Sequence, residues 1–271
     1  MQQERIMIQS TDGAQIALDT YIAHASEEIN ADIRRPAVLI CPGGGYVFCS
    51  EREAEPVALR FVTLGFNAFV VWYRVAPNRF PAPQQDAAAA LAYIRSHADS
   101  LHTDSNRIAV MGFSAGGHLA GSLSVMWQRA ALWEPLGLTP EDVRPNAAVL
   151  CYPVIVSGKH AHQGSFEALT GTKDQVIHAD YSLDRLVTPE CPPVFLWHTY
   201  TDACVPVENS LMMGAALAEH HVPAEMHIFP RGPHGLSLAN EETSAPSWTD
   251  TIQPACQGWP EMAARFLKAV M

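Results

Sequence analysis

The segment Gly112-Phe113-Ser114-Ala115-Gly116 puts one serine between two glycines, after the apolar run RIAVMGF (107–113) and before the helical pattern SAGGHLAGSLSVMWQRA. Strand, tight turn and helix in that order form the setting in which a GxSxG serine becomes a nucleophile. Glycine on both flanks permits the turn and keeps Cβ atoms away from neighbouring elements. A serine hydroxyl is a weak nucleophile at neutral pH, so this chemistry demands a base within hydrogen-bond reach. Of the twelve histidines, His234 in FPRGPHGLS lies just past an apolar run, in a loop of glycine and proline. An imidazole base in turn needs a carboxylate to fix its tautomer and to stabilise the imidazolium. Asp202, in FLWHTYTDACVP, follows the preceding apolar run and fits that role.

Acyl transfer through such a serine also requires donors for an oxyanion. CPGGGYVFCS follows the run PAVLICP (36–42) and offers the successive amides of Gly43, Gly44 and Gly45. The amide of Ala115, at a helix start, is the further donor expected. Other candidates read as structural. Asp86, early in a helical pattern, suits a cap or an ion pair. His118, one helical turn past Ser114, suits a satisfied interior histidine. His198, four residues before Asp202, either lines the pocket or packs. Asp180 competes for the acid role, but it sits in an irregular stretch and Asp202 is preferred. His160, His162, His220, His221 and His227 lack metal-ligand spacing, so no metal is expected and no cofactor is implied. Trp127, Trp133 and Trp259 read as packing rather than substrate stacking.

Elements must bring these residues together. The runs 36–42, 66–74 (FNAFVVWYR), 107–113, 147–155 (AAVLCYPVI), 192–199 (PPVFLWHT) and 224–230 (AEMHIFP) are strand-like, and several are apolar throughout, as suits strands covered on both faces. Helical patterns separate them: EREAEPVALRFVTLG, PAPQQDAAAALAYIRSHA, the segment after Ser114, and PVENSLMMGAALAEHH. MIQSTDGAQIALDTYIA predicts an N-terminal hairpin turning at Asp12-Gly13. A hairpin followed by βαβα units predicts an α/β fold with a mostly parallel sheet and helices on both faces. Residues 156–190 fit no regular element well and are long enough to form a small cover over the sheet's end. Residues 241–257 read only as a loop leading into a C-terminal helix. No domain boundary or repeat is visible, so 1–271 is read as one domain.

The chain has 271 residues and a formal net charge of −11, without a Lys/Arg cluster, which disfavours nucleic acid and anionic membranes as partners. Six cysteines without CxxC spacing read as thiols of a reducing compartment. The start MQQERIMIQSTDG has no apolar signal region and no run is long enough to span a bilayer, so a cytoplasmic protein is expected.

PGGGY, YRVAP (73–77), FPAPQQDAAAAL (80–91), GFSAGGHLA (112–120), HTYTDACVPVENS (198–210) and GPHGLS (232–237), in that order, resemble the hormone-sensitive-lipase-like carboxylesterases of the α/β-hydrolase fold. More narrowly they are similar to the bacterial acetyl-xylan and feruloyl esterase branch, over roughly residues 35 to 240. The chain order Ser, Asp, His is that of the fold. The resemblance implies Ser114 as nucleophile, Asp202 as acid, His234 as base, and Gly43, Gly44 and Ala115 as oxyanion donors. The histidine common at the head of the family's glycine run is Pro42 here, which removes a side chain that braces the loop. The expected activity is hydrolysis of a small-molecule ester with a short, acetyl-type acyl group, a carbohydrate ester or xylo-oligosaccharide being what the family suggests. By analogy a homodimer is expected. Two rivals remain: an acylaminoacyl or prolyl-type peptidase using the same three residues, and a non-catalytic receptor on the same fold, against which the presence of His234 weighs.

Overall fold

A computed structural model describes residues 1–248 and 250–271. Its eight strands make one sheet: β1 (Gln2–Gln9), β2 (Gln15–Ile22), β3 (Arg35–Cys41), β4 (Asn67–Trp72), β5 (Thr103–Phe113), β6 (Ala147–Cys151), β7 (Val194–Thr199) and β8 (Ala224–Phe229). The spatial order is β1-β2-β4-β3-β5-β6-β7-β8. β1 and β2 form the expected antiparallel hairpin, turning through Asp12 and Gly13, both at positive φ. β2 meets β4 antiparallel, and every pair from β4 onward is parallel. Chain order runs outward from β3 to β4, then crosses back to β5 on the other side. The crevice at the carboxyl ends of β3 and β5 is therefore the switch point of the sheet, where open α/β sheets place ligands.

Helices α1 (Glu55–Thr63), α2 (Ala82–Ser96), α3 (Ala115–Met126), α4 (Ala130–Trp133), α5 (Pro140–Val143), α6 (Gln163–Thr170), α7 (Gln175–Ala179), α8 (Glu208–Glu219) and α9 (Trp259–Val270) complete the chain. Successive strand residues point to opposite faces, so an all-apolar strand feeds two cores. Leu39, Ile108 and Val110 pack with α2, α3 and α8 on one face. Val38, Ile40, Ala109 and Met111 pack with α1 and α9 on the other. The strands at the switch point are thereby clamped between two layers, and the loops leaving them start from fixed ends. Residues 156–190 fold into the short helices α6 and α7 with intervening turns. Among the described residues no helix is long and apolar enough to cross a membrane.

Candidate active site

Ser114 is the single residue between β5 and α3, with φ 54° and ψ −119°. An L-residue reaches that conformation only under strain, and its surroundings hold it there. Its N–H donates to the Cys151 carbonyl at 3.0 Å, and its own carbonyl accepts from His118 N–H at 3.2 Å and Val154 N–H at 3.0 Å. The glycines explain themselves by contact. A Cβ on Gly112 would overlap the Gly116 carbonyl, and a Cβ on Gly116 would overlap the carbonyls of Cys41 and Pro42. Small residues here let α3 start hard against the end of β3, with the serine at the helix N-terminus.

His234 and Asp202 arrive from the ends of β8 and β7. Thr199 and Thr201 donate to the Gly232 carbonyl at 2.9 and 3.2 Å, tying the histidine loop to the aspartate loop. Asp202 Oδ2 accepts from His234 Nδ1 at 2.6 Å, and Ser114 Oγ lies 2.7 Å from His234 Nε2. With Nδ1–H donating to the carboxylate, Nε2 is left as an acceptor for the serine hydroxyl. Burial pushes the Asp202 carboxyl up, but hydrogen bonds from His198 and His234, the imidazole charge and the Val205 N–H outweigh it and hold the group below the usual carboxylate range. Its second oxygen accepts the N–H groups of Cys204 and Val205, each at 2.9 Å. His198 is wholly buried behind this carboxylate rather than lining the pocket. Its Nε2 is 3.0 Å from the Val205 carbonyl and 3.3 Å from Asp202 Oδ2, and Ser210 Oγ donates to its Nδ1 at 2.8 Å.

The glycine loop after β3 requires one correction. The N–H of Gly43 is occupied by Glu53 Oε2 at 2.8 Å, so it has no proton left for an oxyanion. The N–H groups of Gly44 and Ala115 have no acceptor among the described residues, and Gly44 lines a cleft together with Ser114 and His234. Gly44 has φ 129°, and a Cβ there would overlap the Phe48 carbonyl, so glycine is required. Pro42 does not leave the loop unbraced: Tyr73 Oη donates to its carbonyl at 2.6 Å, and Tyr46 Oη pairs with His118 Nδ1 at 2.9 Å. His118 also donates from Nε2 to the Tyr181 carbonyl at 2.9 Å, and burial drives its imidazole down to about 4. It is a satisfied interior group, as its helix position suggests.

The cleft has a volume of about 310 Å³ and is walled by Val47, Phe48, Arg52, Glu53, His162, Cys204 and Trp248 as well as the residues above. Of these seven, Arg52, Glu53, His162 and Trp248 lie outside every motif quoted above. His162 comes from the 156–190 segment, bonds Ser165 Oγ at 2.8 Å, and is kept less basic than an ordinary histidine by burial and by the charge of His234. Asp180 is exposed, and the buried Asp86 pairs with the half-buried Arg74 at 2.8 Å. Trp259 and Trp127 are buried in packing. Among the described residues, no group of three His, Cys, Asp or Glu is arranged to hold a metal ion.

The family model BD-FAE matches residues 18–217. An acetylxylan esterase of Xylanibacter ruminicola is 30% identical over 209 residues, which are 74% of this chain and 41% of that protein. An acetyl ester-xyloside bifunctional hydrolase of Caldicellulosiruptor lactoaceticus superposes with a TM-score of 0.80 at 37% identity, covering 96% of this chain and 89% of that one. A carboxylesterase of Lactobacillus plantarum superposes with a TM-score of 0.87 at 29% identity, covering 99% and 98%. The chain spans only 34% and 41% of the length of the first curated relatives it matches.

Proposed function

The chain belongs to the BD-FAE family of α/β-hydrolases, and from that premise we propose an ester hydrolase, a serine carboxylesterase that works through Ser114, His234 and Asp202 on short-chain esters. The observation that carries this reading is the unbroken line from Asp202 to His234 to Ser114, at 2.6 and 2.7 Å, ending beside the open amides of Gly44 and Ala115. His234 takes the Ser114 proton as Oγ bonds to the ester carbonyl carbon. The carbonyl oxygen becomes an anion facing the Gly44 and Ala115 N–H groups, the latter at a helix N-terminus. As the tetrahedral centre collapses, the ester C–O bond breaks and His234 Nε2 gives its proton to the leaving alcohol. A water then repeats the sequence on the acyl-enzyme, releasing the acid. Asp202, held ionised, stabilises the imidazolium in both halves.

Acetyl-type acyl groups fit a cleft of about 310 Å³ walled by Val47 and Phe48 beside the serine. The substrate class follows the relatives named for acetylxylan and acetyl ester-xyloside hydrolysis: an acetylated carbohydrate fragment. Hydrolysis of p-nitrophenyl esters from acetyl to decanoyl tests the reading, with S114A and fluorophosphonate labelling beside it. Fast acetyl or butyryl turnover, falling by at least about 10³-fold in S114A together with loss of labelling, is expected. Wild-type turnover in S114A, or labelling that survives it, would remove Ser114 from the chemistry. Release of acetate from acetylated xylo-oligosaccharides tests the alcohol half.

A further inference from the structure

Glu53 is a buried carboxyl beside the nucleophile, and among the described residues no cation contacts it directly. Its neighbour Arg52 commits its guanidinium to the carbonyls of Thr243 and Gly235 and acts on Glu53 only through its charge. Burying a carboxylate without a contacting cation is costly, and burial indeed raises the proton affinity of Glu53, against the pull of its hydrogen-bond donors Tyr152 and Gly43 and of the more distant charges of His234 and Arg52. A group kept at such a cost next to a reacting centre is a candidate for function.

Its two oxygens reach two parts of the site. Oε2 accepts the Gly43 N–H at 2.8 Å, and the Gly43 carbonyl accepts the Ser50 N–H at 2.9 Å. The peptide from Gly43 to Gly44 is planar and trans, so its N–H points opposite to its carbonyl. With Gly43 fixed at both its N–H and its carbonyl, the Gly44 N–H has one direction left, away from Ser50. The fit against the nucleophile is close: a Cβ on Gly43 would come within 3.1 Å of Ser114 Cβ and 2.6 Å of Glu53 Oε2. Glu53 Oε1 accepts the Tyr152 hydroxyl at 2.7 Å, and that hydroxyl accepts the Ser237 N–H at 2.9 Å. The Tyr152 ring meets the His234 ring edge-on, 5.2 Å between centroids.

We propose that Glu53 is a positioning residue for ester hydrolysis: one oxygen aims the Gly44 amide at the oxyanion, and the other, through Tyr152, holds the His234 ring against Ser114. This rests on the Ser114 reading above. A slip of either partner by a fraction of an ångström weakens a transition-state contact while leaving substrate binding alone. Glutamine at 53 keeps the shape and one acceptor for Gly43, but offers Tyr152 no carboxylate. Phenylalanine at 152 leaves Gly43 clamped and cuts the arm to His234.

The test compares wild type, E53Q, Y152F and S114A with p-nitrophenyl acetate and with an alkyl trifluoromethyl ketone, whose hemiketal anion occupies the oxyanion position. E53Q is expected to lower kcat by about 10- to 100-fold with KM within about threefold, and to weaken the ketone by a similar factor, short of the full loss of an oxyanion donor. Its melting temperature is expected to stay at or above that of wild type. Y152F is expected to lose about tenfold in kcat at unchanged KM, and it carries the test should E53Q not fold. Wild-type kcat and ketone affinity in the folded variants would overturn the proposal, as would a kcat loss matched by a collapse in melting temperature. An S114A enzyme that still turned over would instead sink the Ser114 reading, which separates the two failures.

Discussion

Asp202 and Glu53 are both buried carboxyls near one histidine, and their surroundings push them in opposite directions. Asp202 collects donors from His198, His234, Cys204 and Val205, and is held below the usual carboxylate range. Glu53 has hydrogen bonds from Tyr152 and Gly43 and the more distant charges of His234 and Arg52, yet burial wins, so its proton affinity rises. The consequence for stability has opposite signs. A carboxyl with a depressed folded pKa contributes stability above its unfolded value of about 4, and that contribution fades as pH falls. A carboxyl with a raised folded pKa contributes fully only below that value and loses the contribution as pH rises through the folded pKa. Glu53 is therefore expected to weaken the fold at neutral pH relative to acid, and glutamine, which does not ionise, to escape this. The melting temperature of E53Q minus that of wild type is expected to increase between about pH 4 and about pH 8. Titrating groups that do not feel the Glu53 charge cancel in the difference, which thermal melts across that range would measure, and the same comparison in an S114A/H234A background removes the coupling to His234 from it. A flat difference would mean that Glu53 ionises as easily folded as unfolded, and that no strain is stored there.

At the scale of elements, the turn from β5 into α3 concentrates the demands on sequence. Gly116 has ordinary helical surroundings except that the carbonyls of Cys41 and Pro42 stand where its Cβ would be. G116A is therefore expected to push α3 off the end of β3, costing about 1–3 kcal/mol in urea denaturation and most of the activity. Gly164, in α6, has only the His162 ring edge at 3.7 Å from a would-be Cβ. G164A is expected to be neutral or to stabilise by up to about 1 kcal/mol. Equal losses in the two variants would refute the contact argument. The same turn shows what a sequence can disclose. Ser114, Asp202 and His234 are each marked by their own neighbours, a strand behind and small or turn residues around, and all three were legible. The strands were legible because β3 to β7 are apolar on both faces. The short helices α4 to α7 were not, since four to eight residues punctuated by Pro and Gly carry no period. Glu53 was hidden for another reason. It lies between Glu51 and Glu55 in a run that reads as a solvated helix start, and only closure of the β3 loop over it makes it interior. The role assigned to Gly43 failed on that hidden contact: nothing local says that its amide already has an acceptor.

Across the whole molecule, one side chain ties the glycine-loop side of the cleft to the segment that follows the base. Arg52 donates to the Gly235 carbonyl at 2.9 Å and the Thr243 carbonyl at 2.5 Å, and its guanidinium lies 4.3 Å from the centre of the Trp248 ring. Its own carbonyl accepts Ser237 Oγ at 2.6 Å, while the Ser237 carbonyl accepts Trp259 Nε1 from α9 at 2.8 Å. The segment from Gly235 to Trp248 contains no helix or strand, so these bonds replace the ladder that a regular element would supply. Gly235 follows His234 directly, and a loosened segment passes its motion to the base. R52A is expected to lower kcat/KM for p-nitrophenyl acetate by about tenfold and to open the chain to limited proteolysis between Gly235 and Trp248. R34A, which removes an exposed arginine bonded to Asp32 and Asp99, is expected to change neither. R52K separates charge from geometry. A lysine ammonium keeps the charge but cannot hold two carbonyls in a planar fork while stacking on an indole. R52K should therefore resemble R52A in both kcat/KM and cleavage pattern. Recovery of wild-type behaviour in R52K would mean that positive charge beside the cleft, and not the fork, is what the site requires.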